Sequence, residues 1–183
     1  GKFVAVCISL AWHHLDAREI ITSALTYLNP DSNYVQLIRE MLDFHLQYPN
    51  DTKKCLAYIE DKHSYDNYEG LCHILPNTAI MIYGMLYGKN DFDLTMQLIA
   101  EAGRDTDCNL GNVGSIIGMM VGIENINEKW IKPINDVLLC SSSIGTRNIT
   151  TLSKTAYQFA TLACKLHDIP TTDETIARHT TDF

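Results

Sequence analysis

Apolar residues recur every three or four positions along most of the chain, the period of an α-helix rather than a strand. From Phe3 to Leu28 they keep helical spacing until Asn29-Pro30 stops the run. Asp31 or Ser32 caps a second predicted helix carrying Val35, Leu37, Ile38, Met41, Leu42 and Leu46, and Tyr48-Pro49-Asn50 ends it. A third helix opens at Asp51-Thr52 and runs to about Asp61. A polar, aromatic loop at residues 63–70 follows, and Pro76 reads as the first helical position before Asn77–Tyr87. Gly88-Lys89-Asn90 breaks the chain, and Asp91 caps Phe92–Ala102. Beyond a loop at Gly103–Asp107 the pattern predicts a helix over about Cys108–Gly122. Another is opened by Asn125 with Glu128 three residues on, and a last one spans Thr151–His167. No period-two run sits between hairpin turns. The expectation is one all-α domain of about eight helices over residues 1–169, with a polar tail at residues 170–183.

Composition narrows the class. The chain has 183 residues, 46% hydrophobic and 20% charged, so a single core burying roughly 70% of the unfolded surface is within reach. That mixture excludes a disordered or collagen-like chain. The longest apolar stretches, Ala79–Leu86 and Ile116–Ile123, fall well short of the roughly 20 residues that span a bilayer, so no membrane segment is expected. With 14 Lys+Arg against 22 Asp+Glu and a net charge of -8, the chain lacks the basic surface that a nucleic-acid backbone binder needs. Cys7, Cys55, Cys72, Cys108, Cys140 and Cys164 form no C-x-x-C pair, which gives no structural-zinc pattern. Most fall within apolar helical patterns, where a thiol acts as a small buried hydrophobe, and free thiols fit a reducing, cytoplasmic setting. Lys2 followed by Phe3–Trp12 imitates a signal peptide but runs straight into His13-His14-Leu15-Asp16, so it reads as a core helix. The start at Gly1, without an initiator Met, reads as processing or a fragment boundary.

Chemistry concentrates in Ala102-Gly-Arg-Asp-Thr-Asp-Cys-Asn-Leu-Gly111. On a regular helix Asp105 and Asp107 would point roughly 200° apart. They converge only where the backbone is irregular, as Gly103 allows, with Asp107 as the N-cap of the next helix. Converging carboxylates call for a hard divalent cation, and Mg²⁺ is the natural one. The plainer reading is that both cap a helix and pair with Arg104. Gly111, Gly114, Ser115, Gly118 and Gly122 then recur along one strip. Each interior Gly costs about 1 kcal/mol against Ala, so the strip reads chiefly as a tight helix crossing. His13-His14, being adjacent, point to different faces and read as structural. Asp91/Asp93 reads as a helix start, and Asp61/Asp66/Glu69 as a solvated loop. No Ser-His-Asp spacing, P-loop or G-x-G-x-x-G element is present.

Gly103-Arg-Asp-Thr-Asp-Cys-Asn109 followed by Val113-Gly-Ser-Ile-Ile-Gly118 resembles the C-terminal signature of the ADP-ribosylglycohydrolase family, G-x-D-T-D-[TC]-N entering a small-residue helix. Leu75-Pro-Asn-Thr-Ala-Ile80, Leu86-Tyr-Gly-Lys-Asn-Asp-Phe92 and Glu128-Lys-Trp-Ile-Lys-Pro-Ile-Asn-Asp136 match as well. The resemblance implies an all-α, Mg²⁺-dependent hydrolase of the bond between ADP-ribose and an acceptor, with two ions in the complete site. Asp105 and Asp107 match the C-terminal metal ligands. Cys108 stands where many members have a Thr that also binds metal, and a thiol is a poor ligand for Mg²⁺. His73 and Asn77 would line the substrate cleft, against ordinary helix capping, and Tyr65 and Tyr68 would stack on adenine. No T-D-D motif of the family's N-terminal half is present, so the resemblance is to the C-terminal half alone. The general acid/base carboxylate would then come from a complementary N-terminal half, or the chain would self-associate through the surface that half covers. The alternative is a catalytically inactive, ADP-ribose-binding or structural module of the same fold.

Overall fold

The structure, a computed structural model, describes residues 1–13, 15–70, 72–141 and 148–170. His14 and the polar tail from residue 171 on lie outside them. The described residues are all-α apart from one short ladder. They form two compact units, Gly1–Asn127 and the part from Glu128 onward.

In the first unit, helices α1 (Lys2–Ala11), α2 (Ala17–Leu25), α3 (Asn33–Gln47) and α4 (Thr52–His63) come first. After a single 3₁₀ turn at Tyr65–Asn67 follow α5 (Ile74–Tyr87), α6 (Phe92–Ala102) and α7 (Thr106–Val121). Side chains start most of them. Ser32 accepts the Val35 N–H, Asp51 the Lys54 N–H and Asp91 the Leu94 N–H, each satisfying a donor the first helical turn leaves free. α5 carries no charged residue and is buried continuously from Thr78 to Tyr87, as expected of a helix apolar all round. It packs against α2, α3, α4, α6 and α7 and so forms the axis of the unit.

The run read as one helix from Phe3 to Leu28 is two. Asp16 caps α2 by accepting the Glu19 N–H at 3.1 Å. Asn90 fixes the break from outside, accepting the Ala17 N–H at 3.0 Å and donating to Asp16 at 3.2 Å. Asn90 itself holds a left-handed φ of 59° in the turn after α5. Apolar spacing on both sides of Asp16 hid this tertiary contact. Pro76 is the third residue of α5 rather than its first, because His73 serves as N-cap.

The second unit contains the short helix α8 (Glu128–Ile131), strands β1 (Val137–Leu139) and β2 (Ile149–Thr151), and α9 (Leu152–Leu166). The strands pair antiparallel, with Leu138 opposite Thr150, a ladder the sequence pattern did not predict because neither strand exceeds three residues. The helix expected from Asn125 is a 3₁₀ turn at Ile123–Asn125 followed by α8. Asp136 fastens the start of α9, accepting from the Ser153 N–H at 2.9 Å and its hydroxyl at 2.6 Å. No helix among the described residues is long and apolar enough to cross a membrane.

Two expectations about small residues are corrected. Only Cys7 and Cys55 are buried, whereas Cys72, Cys108 and Cys140 are exposed. The α7 glycines are not squeezed: a Cβ on Gly111 would meet nothing within 4 Å, and on Gly114 or Gly118 nothing nearer than 3.5 Å. Close approaches occur instead at α5 and its C-cap: a Cβ on Gly84 would collide with Cγ1 and Cδ1 of the fully buried Ile99 in α6, and one on Gly88 with Thr95 Oγ1. Gly84→Ala is therefore expected to destabilise by about 1–3 kcal/mol, the usual cost of overpacking. Gly111→Ala, on an open helical face, is expected to stabilise by up to about 1 kcal/mol. Urea denaturation of the two variants checks both signs, and a Gly84→Ala chain as stable as the parent would contradict the α5–α6 contact.

Candidate functional site

The turn between α6 and α7 begins with Gly103 at φ 73°, ψ -154°, a conformation only glycine adopts without strain. Arg104 follows at φ 65°. Two positive-φ residues in succession reverse the chain, so that Asp105 becomes the N-cap residue and α7 begins at Thr106. The N-cap expected at Asp107 thus falls two residues earlier, and Asp105 spends its carboxylate elsewhere, making no cap hydrogen bond. The backbone irregularity does bring the two carboxylates together. One ligand atom from each of Asp105, Asp107 and Cys108 lies within 4.8 Å of the others.

Asp105 is held from across the fold. Asn77, on the first turn of α5, donates its amide to Asp105 Oδ2 at 2.5 Å and to Cys72 Sγ at 3.2 Å. The Cys72 thiol donates to the same Oδ2 at 2.9 Å, and the Tyr65 hydroxyl donates to Asn77 Oδ1. The Cys72 hydrogen bond is the main reason the Asp105 carboxyl sits below its ordinary pKa; slight burial opposes it, and the Cys108 thiol and the Asn77 amide reinforce it. The same bonds act in reverse on the sulfurs. Hydrogen bonding to Asp105 keeps both the Cys72 and Cys108 thiols protonated above the usual thiol range. Burial raises the Tyr65 phenol. Asn109, one turn into α7, is fully buried, and neither polar atom of its side chain is hydrogen-bonded.

Tyr65, Asp66, Tyr68, Gly70, Cys72, Arg104, Asp105 and Asp107 line a cavity of about 660 Å³, and neither Asn77 nor His73, expected along the cleft, is part of its wall. Arg104 does not pair with the aspartates beside it: its guanidinium meets Glu60 at 3.1 Å and lies 5.5 Å from the Tyr65 ring centroid. Among the residues singled out from sequence, Asp105, Asp107, Cys108 and Asn77 come together, and Tyr65 and Tyr68 line the cavity. His73 caps α5, its Nδ1 accepting the Leu75 N–H at 3.2 Å, and its ring stacks on Tyr68 at 4.3 Å. Cys72 was missed, since no spacing signals a residue 33 positions from Asp105. Asp66, read as part of a solvated loop, is exposed in the 3₁₀ turn and borders the cavity.

The first unit thus sets an acidic pair at a helix start beside a cavity with aromatic walls. The profile of the ADP-ribosylglycohydrolase family matches residues 1–164, and the chain belongs to that family of hydrolases of ADP-ribose linkages. Among curated proteins and among solved structures nothing matches significantly.

The donor set fits a hard cation in part. Asp105 and Asp107 offer carboxylate oxygens, which Mg²⁺ prefers, while Cys108 offers a sulfur it does not. Among the described residues no second cluster of three such groups exists.

Replacing Asp105 by Asn removes the negative charge that, with its hydrogen bonds, keeps both thiols protonated. Their alkylation by iodoacetamide is then expected to reach half its plateau at lower pH and to run several-fold faster near neutrality. The gain in thiolate outweighs the lower nucleophilicity of a more acidic thiol. Peptide mass spectrometry of alkylated Cys72 and Cys108 across a pH series checks this, and unchanged profiles would contradict the Asp105 hydrogen bonds.

Proposed function

We propose that the chain is the metal-holding part of a Mg²⁺-dependent hydrolase that cleaves the glycosidic bond between ADP-ribose and an acceptor. The observation that carries this is the convergence of Asp105 and Asp107 beside the cavity, in a chain of this family. A divalent cation held by these carboxylates would polarise ribose oxygens or a water molecule and offset charge at the reacting centre. Asn77 and Cys72 both bond to Oδ2 of Asp105 and keep that carboxylate oriented. Tyr65 and Tyr68 offer aromatic surface to the adenine, though His73 already covers one face of Tyr68. Arg104 places a positive charge at the rim, suited to the diphosphate. His73 acts on the substrate only indirectly, by holding Tyr68.

The general acid/base carboxylate and the ligands of the second Mg²⁺ would come from a complementary N-terminal half. Support comes from the single three-residue cluster among the described residues, from the open Gly111 and Ser115 face of α7, and from the exposed Phe159, Leu162 and Leu166 of α9. Self-association through the same surfaces is the second form of this partner reading. All six thiols are free, which supports a reducing, cytoplasmic setting. The lone cluster also favours the second functional reading, an ADP-ribose-binding module without catalysis.

Incubation with ADP-ribosyl-serine and ADP-ribosyl-arginine peptides in Mg²⁺, with and without a T-D-D-containing N-terminal half, decides between these readings. Release of ADP-ribose is expected only with the added half. Asp105→Asn or Asp107→Asn should lower the rate by at least about 100-fold, and Asn77→Ala by about 10- to 100-fold, as for groups that orient a metal ligand. Binding of ADP-ribose without release in any combination would favour the inactive module.

A further inference from the structure

Arg104 adjoins Asp105 in sequence and lines the same cavity as Asp105 and Asp107. An arginine so placed is the natural counter-ion of two converging carboxylates, because its planar fork of donors matches carboxylate oxygens. It pairs with neither. Its guanidinium meets Glu60 Oε1 at 3.1 Å instead and lies 5.5 Å from the Tyr65 ring centroid. Glu60 is carried by the core rather than by the α6–α7 turn. Burial of Cys55 and Ile59, four positions apart, fixes the roll of α4, which packs against α5. The buried Ser64 at the end of α4 donates its hydroxyl to the same Oε1 at 3.4 Å. We propose that Glu60 is a positioning residue of the cation site: by engaging Arg104 it keeps a positive charge off Asp105 and Asp107, and so sets how tightly those carboxylates take Mg²⁺. The inference rests on the metal reading of Asp105 and Asp107 given above.

The physical basis is competition for the same oxygens. A guanidinium bonded to Asp105 or Asp107 occupies lone pairs that a cation needs, and its charge repels the ion from a few ångströms away. The side chains of Arg104 and Glu60 are 44% and 61% exposed, so their pair adds little to the stability of the fold. Its effect is on where the arginine's charge rests. With Glu60 neutral, Arg104 retains only the Tyr65 ring, and the two adjacent carboxylates become its strongest partners. With Glu60 charged, the arginine stays at the rim and both aspartates remain open to a cation. Sequence order alone pairs Arg104 with its neighbours. Only the packing of α4, whose Glu60 lies 44 positions away, draws it off.

The test is a set of Mg²⁺ titrations of the full chain by calorimetry at low ionic strength. Glu60→Gln is expected to weaken Mg²⁺ binding by about 3- to 10-fold. Adding Arg104→Gln to that variant is expected to restore the affinity of the parent, a rescue that damage to the fold would not give. Asp61→Asn removes an equal charge from the next position of α4, where Asp61 meets Lys62 at 3.2 Å rather than Arg104, and is expected to leave the affinity unchanged. Equal Mg²⁺ affinity in the parent and Glu60→Gln overturns the positioning role and leaves the Mg²⁺ reading standing. So does a double variant as weak as Glu60→Gln alone, or a matching loss in Asp61→Asn. A parent chain that binds no Mg²⁺ overturns both.

Discussion

Asn77 joins the core of the first unit to its chemistry. Its amide reaches Asp105 at 2.5 Å from the first turn of α5, and α5 is the helix around which five others pack. An uncharged helix buried on all sides has little freedom to shift, because displacing it would open voids against every neighbour. The position of Asn77 is therefore set by the whole core, and through Asn77 so is the orientation of the Asp105 carboxylate. The α6–α7 turn supplies the other half of the constraint. Gly103 and Arg104, both at positive φ, aim Asp105 back toward α5 rather than along the axis of α7.

One carboxylate thereby receives several donors at once. The thiols of Cys72 and Cys108 and the amide of Asn77 all stabilise its charged form. Such an anion, half exposed beside a second aspartate, is prepared for a cation rather than for proton transfer. That agrees with a metal-dependent family of hydrolases of ADP-ribose linkages.

Much of this was legible in the sequence, for identifiable reasons. Helices with a Ser or Asp cap and a clean apolar stripe, such as α3, α4 and α6, were placed to within one or two residues. The acidic loop was legible because D-x-D after a glycine can converge only off a regular helix, and because the surrounding motif is long. What stayed hidden depends on contacts distant in sequence. The break before α2 needs Asn90, more than seventy residues away. Cys72 joins the site only through Asn77 and Asp105. The glycine strip of α7 reads as close packing by composition alone, whereas the glycines with no room for a Cβ include Gly84 and Gly88, in and just after α5. The short strands carry too few alternating positions to register as a pattern.

The central claim is that α5, through Asn77, presents Asp105 as a cation-binding carboxylate together with Asp107. The most direct measurement is a Mg²⁺ titration of the ¹⁵N-labelled chain, following the Asn77 side-chain amide and the backbone amides of Thr106, Asp107 and Cys108. These signals are expected to move together and saturate at one common ion concentration, while amides of α9 stay in place, and Asn77→Ala should weaken the response of the remaining three. Signals at Asn77 and Thr106–Cys108 that remain unmoved at millimolar Mg²⁺, or that respond no differently from those of α9, would contradict the account.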